Sequence, residues 1–472
     1  MKNYSHDRKS VSGLKIAYIG GGSRGWAYSL MRDLACEPSI SGTVALYDID
    51  FEAAKVNEQI GNMVSKKEEA VGKWEYEAKE KLEDALIGAD FVIISILPGT
   101  FDEMESDVHT PEKYGIYQSV GDTTGPGGII RALRTIPIYE KFALAIKEYC
   151  PDAWVINFTN PMTVCVRTLY KTFPEIKAFG CCHEVFGTQK LICNMISEKF
   201  GLDVNRREII TNVVGVNHFT WVTEAKYKEI DVYKLYKEYV EEHPNGVDRH
   251  ETNNWVELPD RNTEHVKFDL FKCYGVIAAA GDRHLAEFCN GAWYLKDPKT
   301  VESYGFTLTP VPWRKNNLGD RLKRAQGYAS GEVSFEIKPS GEESVLQIKG
   351  LLGLGNFVTN VNIPNIGQVP NNPIGAVVET NAAFSSDSVR PVFAGEVPER
   401  INALVMRIIE EQEAVVEAGL TGDYELAFSV FVNNPNVNLP IDEARKLFNE
   451  MLEKTKEYLP YYDKYVMNKS IS

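Results

Sequence analysis

Cys182 and His183 stand side by side, and His218 follows a later apolar run. A thiolate and imidazoles are soft and borderline donors, a set that can hold a divalent metal. Cys182 and His218 are too far apart in sequence for a zinc knuckle, and no C-x-x-C lies near either, so only the fold could bring them together. The alternative is a buried thiol pair, Cys181 and Cys182, beside a satisfied histidine. Asn157-Phe-Thr-Asn160-Pro161 ends another apolar stretch. An asparagine there could reach a cofactor or a substrate hydroxyl, or could only form the turn that stops a strand. Gly281-Asp282-Arg283-His284 follows the apolar Val276 to Ala280. Asp282 and His284 are candidate acid–base groups, and Arg283 could clamp a carboxylate with two hydrogen bonds. A solvated turn is the competing reading. Asp122 with Arg131 or Arg134 flanks a glycine-rich loop, and these could touch a ligand or form a structural ion pair.

The element that would organise these groups lies near the N-terminus. Lys15 to Ile19 is a short run of strand formers, Gly20-Gly-Gly22-Ser23-Arg-Gly25 follows at once, and Trp26, Leu30, Met31 and Leu34 recur at helical spacing. Thr43 to Tyr47 is a second strand, closed by Asp48. Gly20, Gly22 and Gly25 fit G-x-G-x-x-G between a strand and a helix, with an acid at the end of the next strand. Glycine permits the tight turn and close backbone approach. The helix N-terminus faces a pyrophosphate, and the carboxylate accepts from a ribose hydroxyl. Gly20, Gly22, Ser23 and Asp48 are therefore the expected dinucleotide contacts, with Asn157 at the cofactor's reactive end. A carboxylate would repel a 2′-phosphate, so Asp48 favours NAD over NADP.

Strands and helices alternate from residue 14 to about 185, the pattern of a Rossmann-type, doubly wound parallel α/β sheet. Beyond about residue 200 the pattern changes to scattered strands, charged stretches and two amphipathic helices near the C-terminus. The expected organisation is an NAD-binding domain over 14–200 and a mixed α+β domain over 201–472, which would supply substrate, metal and oligomer contacts. The chain carries 51 basic and 66 acidic side chains, a net charge of −15. That argues against a nucleic-acid partner but leaves a small anionic substrate open. No apolar run approaches ~18 residues, so no membrane span is expected. Residues 1–13 are polar and do not look like a signal peptide, and eight cysteines in 472 residues do not look like a disulfide framework. A reduced, cytoplasmic protein is the simplest expectation.

Together the motifs resemble glycoside hydrolase family 4, the NAD- and metal-dependent glycosidases. The resemblance runs through Ile19-Gly-Gly-Gly-Ser23, Asn157-x-Thr-Asn-Pro161, Cys182-His183-Glu184-Val185, Val216-Asn-His-Phe219 and Gly281-Asp-Arg-His284, nearly the whole chain. It implies an architecture like that of lactate and malate dehydrogenases. It also implies Cys182 and His218 as ligands of a catalytic Mn²⁺ or another divalent metal, Asn160 as a substrate contact and His183 as general acid. Asp282 takes the place of the base by position, where many members carry tyrosine. The residue after the metal-binding cysteine sorts the branches: Cys-Asp-Met-Pro in phospho-α-glucosidases, Cys-Asn-x-Pro in phospho-β-glucosidases, Cys-His-Ser in α-galactosidases. Cys-His-Glu-Val looks most like the α-galacturonidase branch. The implied substrate is a phosphate-free, pectin-derived α-galacturonide. Its carboxylate needs a cation, and Arg283, Arg131 and Arg134 lie in candidate active-site loops, with Arg283 as the expected contact. The implied reaction takes hydride from C3 to NAD and the proton from C2, expels the C1 leaving group, adds water and returns the hydride. An α-glucuronide or a neutral α-galactoside is the neighbouring possibility. An NAD-dependent hydroxyacid or polyol dehydrogenase is the alternative from another class. A homodimer or homotetramer is implied as well.

Overall fold

Val11–Ile19 is buried on both faces from Ile16 onward, as a central parallel strand requires. In the computed structural model, which describes residues 2–248 and 261–462, it pairs in parallel with Ile40–Tyr47 on one side and Phe91–Ile94 on the other. Trp74–Lys79 extends the first side, and Trp154–Asn157 and Lys177–Gly180 extend the second. Numbered along the chain, these strands lie in the order 3-2-1-4-5-6, the Rossmann order, as the α/β alternation predicts. Because they are parallel, all end at one edge. That edge gathers Gly20 after Ile19, Asp48 after Tyr47, Asn160 shortly after Asn157, and Cys182 shortly after Gly180.

Strands from beyond residue 200 complete the same sheet. Phe357–Pro364 runs antiparallel to Lys177–Gly180, and Val377–Ser385 and Ser388–Pro391 follow it outward. The second of these is hard to read in the sequence because Glu379 occupies a position that is only 1% exposed. Val311–Ser330, legible beforehand only as part of a polar, mixed-charge stretch, is a helix lying across Phe51–Ser65 and Phe101–His109. Few apolar residues anchor it, among them Val311 and Ala325, so its periodicity is weak.

A second, antiparallel sheet presents the other half of the site. Ile210–Val216 and Phe219–Tyr227 form a hairpin in which Val216 faces Phe219, leaving only Asn217 and His218 in the turn. His218 takes φ 63°, a left-handed conformation that histidine visits more readily than most non-glycine residues. Ile277–Ala278 pairs with the same strand at Val222 and Trp221, which carries Gly281 to His284 toward the turn. Between the two sheets, the Thr220 hydroxyl donates to the buried Glu379 carboxylate at 2.6 Å. Gly125–Tyr149 packs so tightly against Glu399–Thr421 that a Cβ on Gly419 would lie 2.3 Å from Ile136. All eight cysteines are free. Among the described residues, no helix is long and apolar enough to cross a membrane.

Candidate active site

The glycine loop is shaped by its neighbours. Gly20 has φ +94°, and a Cβ there would lie 2.0 Å from the Ser95 carbonyl oxygen, so no larger residue fits. The Gly22 amide donates to Asp48 Oδ2 at 2.9 Å, fixing the carboxylate against the loop. Asn57 Nδ2 holds the loop from below, donating to the Gly21 and Ser23 carbonyls at 2.7 and 2.9 Å. Trp26–Ala35 begins after Gly25 without a side-chain cap, so no side chain occupies its first-turn N–H groups. A glycine cradle and an uncapped helix N-terminus to donate, with a strand-end carboxylate to accept, are the groups a dinucleotide needs.

Across the sheet edge, the donor atoms of Asp122, His218 and His284 all lie within 4.8 Å of one another. The two imidazoles are 3.8 Å apart at their centroids. Thr123 links Asp122 to His218. Its hydroxyl donates to Asp122 Oδ1 at 2.6 Å, so its oxygen must accept from His218 Nδ1 at 2.9 Å. That assigns the His218 proton to Nδ1 and leaves the Nε2 lone pair for a ligand. Burial, helped by the neighbouring His284, pushes His218 down to about 3, so it is neutral and ligand-ready. Burial also acts to lower His284, but the Glu184 carboxylate, 3.5 Å from Nδ1, overcomes it and raises that ring. Glu184 accepts the Gly281 amide at 2.7 Å, tying the His284 loop to the residue that follows Cys182-His183. Glu287 accepts the Val120 and Gly121 amides, both at 2.8 Å, and so positions the approach to Asp122.

Residues 15–198 match the profile of the Family 4 glycosyl hydrolases, and residues 213–437 match that of the family's C-terminal domain. The chain belongs to glycoside hydrolase family 4. It is similar to the alpha-galacturonidase of Thermoanaerobacterium saccharolyticum, 61% identical over 451 residues that span 95% of this chain and 97% of the relative. The alpha-galacturonidase of Bacillus subtilis is 52% identical over 441 residues, 93% of this chain and 97% of its own. A crystal structure from Bacillus subtilis superposes with a TM-score of 0.89 at 52% identity, covering 93% of this chain and 100% of its own. The family and the branch expected from the motifs are therefore borne out.

Within this family 4 hydrolase, the residues singled out from sequence divide into two sets. Gly20, Gly22, Ser23 and Asp48 form one wall of the edge, and His218 lies in the donor trio. Cys182 is on the neighbouring loop, against Asn217 and Glu379, with its carbonyl accepting from Asn360 at 3.2 Å. Asn160 reaches Asp122 at 3.4 Å with Nδ2, and its buried Oδ1 has no partner. His183 stands half-exposed between Trp26, on which it stacks at 5.8 Å, and Glu342, which raises its pKa from 3.4 Å.

Three expectations need correction. Asn157 spends its amide internally, accepting from Tyr139 at 2.6 Å and donating to the Thr159 carbonyl at 3.0 Å, so it builds the turn. Asp282 is fully buried with Lys267, Glu264 and Asn262; burial, with Glu264, pushes it up to about 7. It opens the helix Asp282–Phe288, where residues two apart face different ways, so bringing His284 to the trio turns Asp282 aside. Arg283 bridges loops, donating to the Ser119 carbonyl at 2.8 Å and to Thr309 at 2.9 Å. Thr123, Glu184 and Glu379 escaped sequence reading. For Glu184 a signal existed in its place beside Cys182-His183; Thr123 had none.

Proposed function

We propose that this enzyme hydrolyses non-reducing-end α-galacturonides, with NAD on the glycine loop and Mn²⁺ or a similar dication at His218. The observation that carries the substrate is 52–61% identity, over nearly the whole chain, to relatives named alpha-galacturonidase. The donor chemistry fits the metal: the neutral His218 imidazole and the Asp122 carboxylate converge, and the Cys182 thiol lies outside that group, on the loop beside Asn217. His218 and Cys182 would hold the ion, with Asp122 beside them. When bound, NAD supplies a hydride acceptor for C3 and the dication supplies Lewis acidity to the neighbouring sugar oxygens.

The chain's own groups then have distinct tasks. His284, oriented by Glu184 through Nδ1, takes the C2 proton in place of Asp282, by the same logic that pairs a carboxylate with a catalytic histidine. His183, on the open side near Trp26, protonates the departing C1 oxygen. Asn160, with an unpartnered Oδ1, accepts from a sugar hydroxyl. Burial of His218 keeps bulk water from competing for its lone pair, while Asp122 and His284 are partly open to an entering sugar.

The substrate reading is tested by comparing aryl α-galacturonide, α-glucuronide, α-galactoside and 6-phospho-α-glucoside under identical NAD⁺ and Mn²⁺. The galacturonide should turn over fastest. Faster hydrolysis of the neutral or phosphorylated sugar would refute the uronide, and faster glucuronide hydrolysis would refute only the C4 configuration. The role of Thr123 is tested separately. Removing a hydrogen bond that orients a metal-ligating histidine typically costs 10–100-fold in affinity. Thr123→Val should raise the Mn²⁺ concentration for half-maximal activity by about that factor without changing NAD⁺ affinity. An unchanged Mn²⁺ dependence would remove Thr123 from the account.

A further inference from the structure

We infer that Arg131 is the cation that reads the C6 carboxylate of the sugar, an inference that rests on the galacturonide reading above. Three arginines approach the site, and the structure separates them. Arg134 is fully buried, paired through both terminal nitrogens with Asp107, and donates from Nε to the Pro98 carbonyl at 2.9 Å. Arg283 is engaged with Ser119, Thr307 and Thr309. Arg131 differs. It lies near the start of Gly125–Tyr149 and is only 5% exposed, with Nε donating to the Asn160 carbonyl at 3.0 Å. Among the described residues, its terminal nitrogens have no hydrogen bond and no ion pair. The side chain is thus buried and ends in unpaired donors.

A guanidinium in that position has lost most of its water and gained one hydrogen bond, an arrangement that is costly without an anionic partner. Asp122 is near enough to act on its charge but makes no ion pair with it among the described residues. A substrate carboxylate presents two oxygens that match the paired terminal donors, a fit that an ammonium group cannot reproduce. Position favours the same ligand. Arg131 is joined directly to Asn160, whose side chain reaches Asp122. A sugar held by Asn160 beside the donor trio therefore lies next to the unpaired end of the guanidinium.

The rival role is support: Arg131 could serve only to hold the Asn160 turn. The two roles differ in selectivity. Wild type, Arg131→Lys and Arg131→Met are compared for kcat/KM on aryl α-galacturonide and aryl α-galactoside. A charge-assisted contact is worth roughly ten- to a hundredfold, so the galacturonide-to-galactoside ratio should fall by that factor in R131M, with only partial recovery in R131K. A supporting role would lower both substrates together and leave the ratio unchanged; that result overturns the inference while the galacturonide reading stands. Wild type inactive on galacturonide would overturn both. A second readout needs no turnover. Calorimetry of galacturonate and galactose on the NAD⁺- and Mn²⁺-loaded enzyme should show a preference for galacturonate that R131M loses. Should R131M not fold, R131K decides: a ratio and a galacturonate preference equal to wild type would refute Arg131 as the reader.

Discussion

His218→Ala is expected to lower turnover by about a thousandfold or more while NAD⁺ binds nearly as it does to wild type. A Lewis acid contributes several kcal/mol to such chemistry, and each tenfold in rate corresponds to about 1.4 kcal/mol. His218 occupies a two-residue turn, its Nδ1 is committed to Thr123, and its ring lies with His284 and Asp122. The neighbouring His284 imidazole, 3.8 Å away, is held to Glu184 and has the base's task, so it should not take over the role of His218. The glycine loop is carried by different strands and is braced by Asp48 and Asn57, so the nucleotide site should not feel the change. Cys182→Ser should behave in the same way, because it keeps the size of the side chain and removes the thiolate. Metal analysis and calorimetric NAD⁺ titration of both variants check the split. Normal metal content with wild-type turnover in either variant would contradict its role, and lost NAD⁺ binding would show that the two sites are not separable.

The glycine loop and its acid were legible because their physics is local. A strand, a tight turn and a helix start follow one another in sequence, and only small residues fit: at Gly20 the obstruction is the Ser95 carbonyl itself. The alternation of strands and helices likewise announced the parallel sheet, and with it the edge where Asn160 and Cys182 would emerge. The trio was legible only in part. His218 and Cys182 stood out by type and by family resemblance. Asp122 and His284 were visible as candidates, yet nothing in their spacing showed that three separate loops would converge. The choice between Asp282 and His284 turned on the helix that begins at Asp282, whose phase the sequence does not declare over so few residues. Arginines were the least legible. Arg131 and Arg134 lie on one helix and look alike in sequence. Only packing shows that one faces Asp107 and the other ends beside Asn160. Glu379 hid for a related reason, since a buried carboxylate in a strand breaks the alternation by which strands are recognised.

The second large effect concerns the nucleotide, and it separates a glycosidase from a dehydrogenase built on the same sheet. A glycine cradle and a strand-end carboxylate would serve either enzyme. Alcohol oxidation needs only a base for the hydroxyl proton, whereas elimination at C1 also needs a base for the C2 proton and stabilised sugar oxygens, tasks the converged donors would share. Hydride should therefore leave and return within each turnover. The most direct measurement follows released aglycone and NADH absorbance together, using enzyme stripped of bound nucleotide, an aryl α-galacturonide, Mn²⁺ and a reductant, with and without NAD⁺. The expected result is many turnovers with NAD⁺, almost none without it, and no net NADH. Accumulation of one NADH per sugar released, or full-rate hydrolysis in the absence of NAD⁺, would contradict the account.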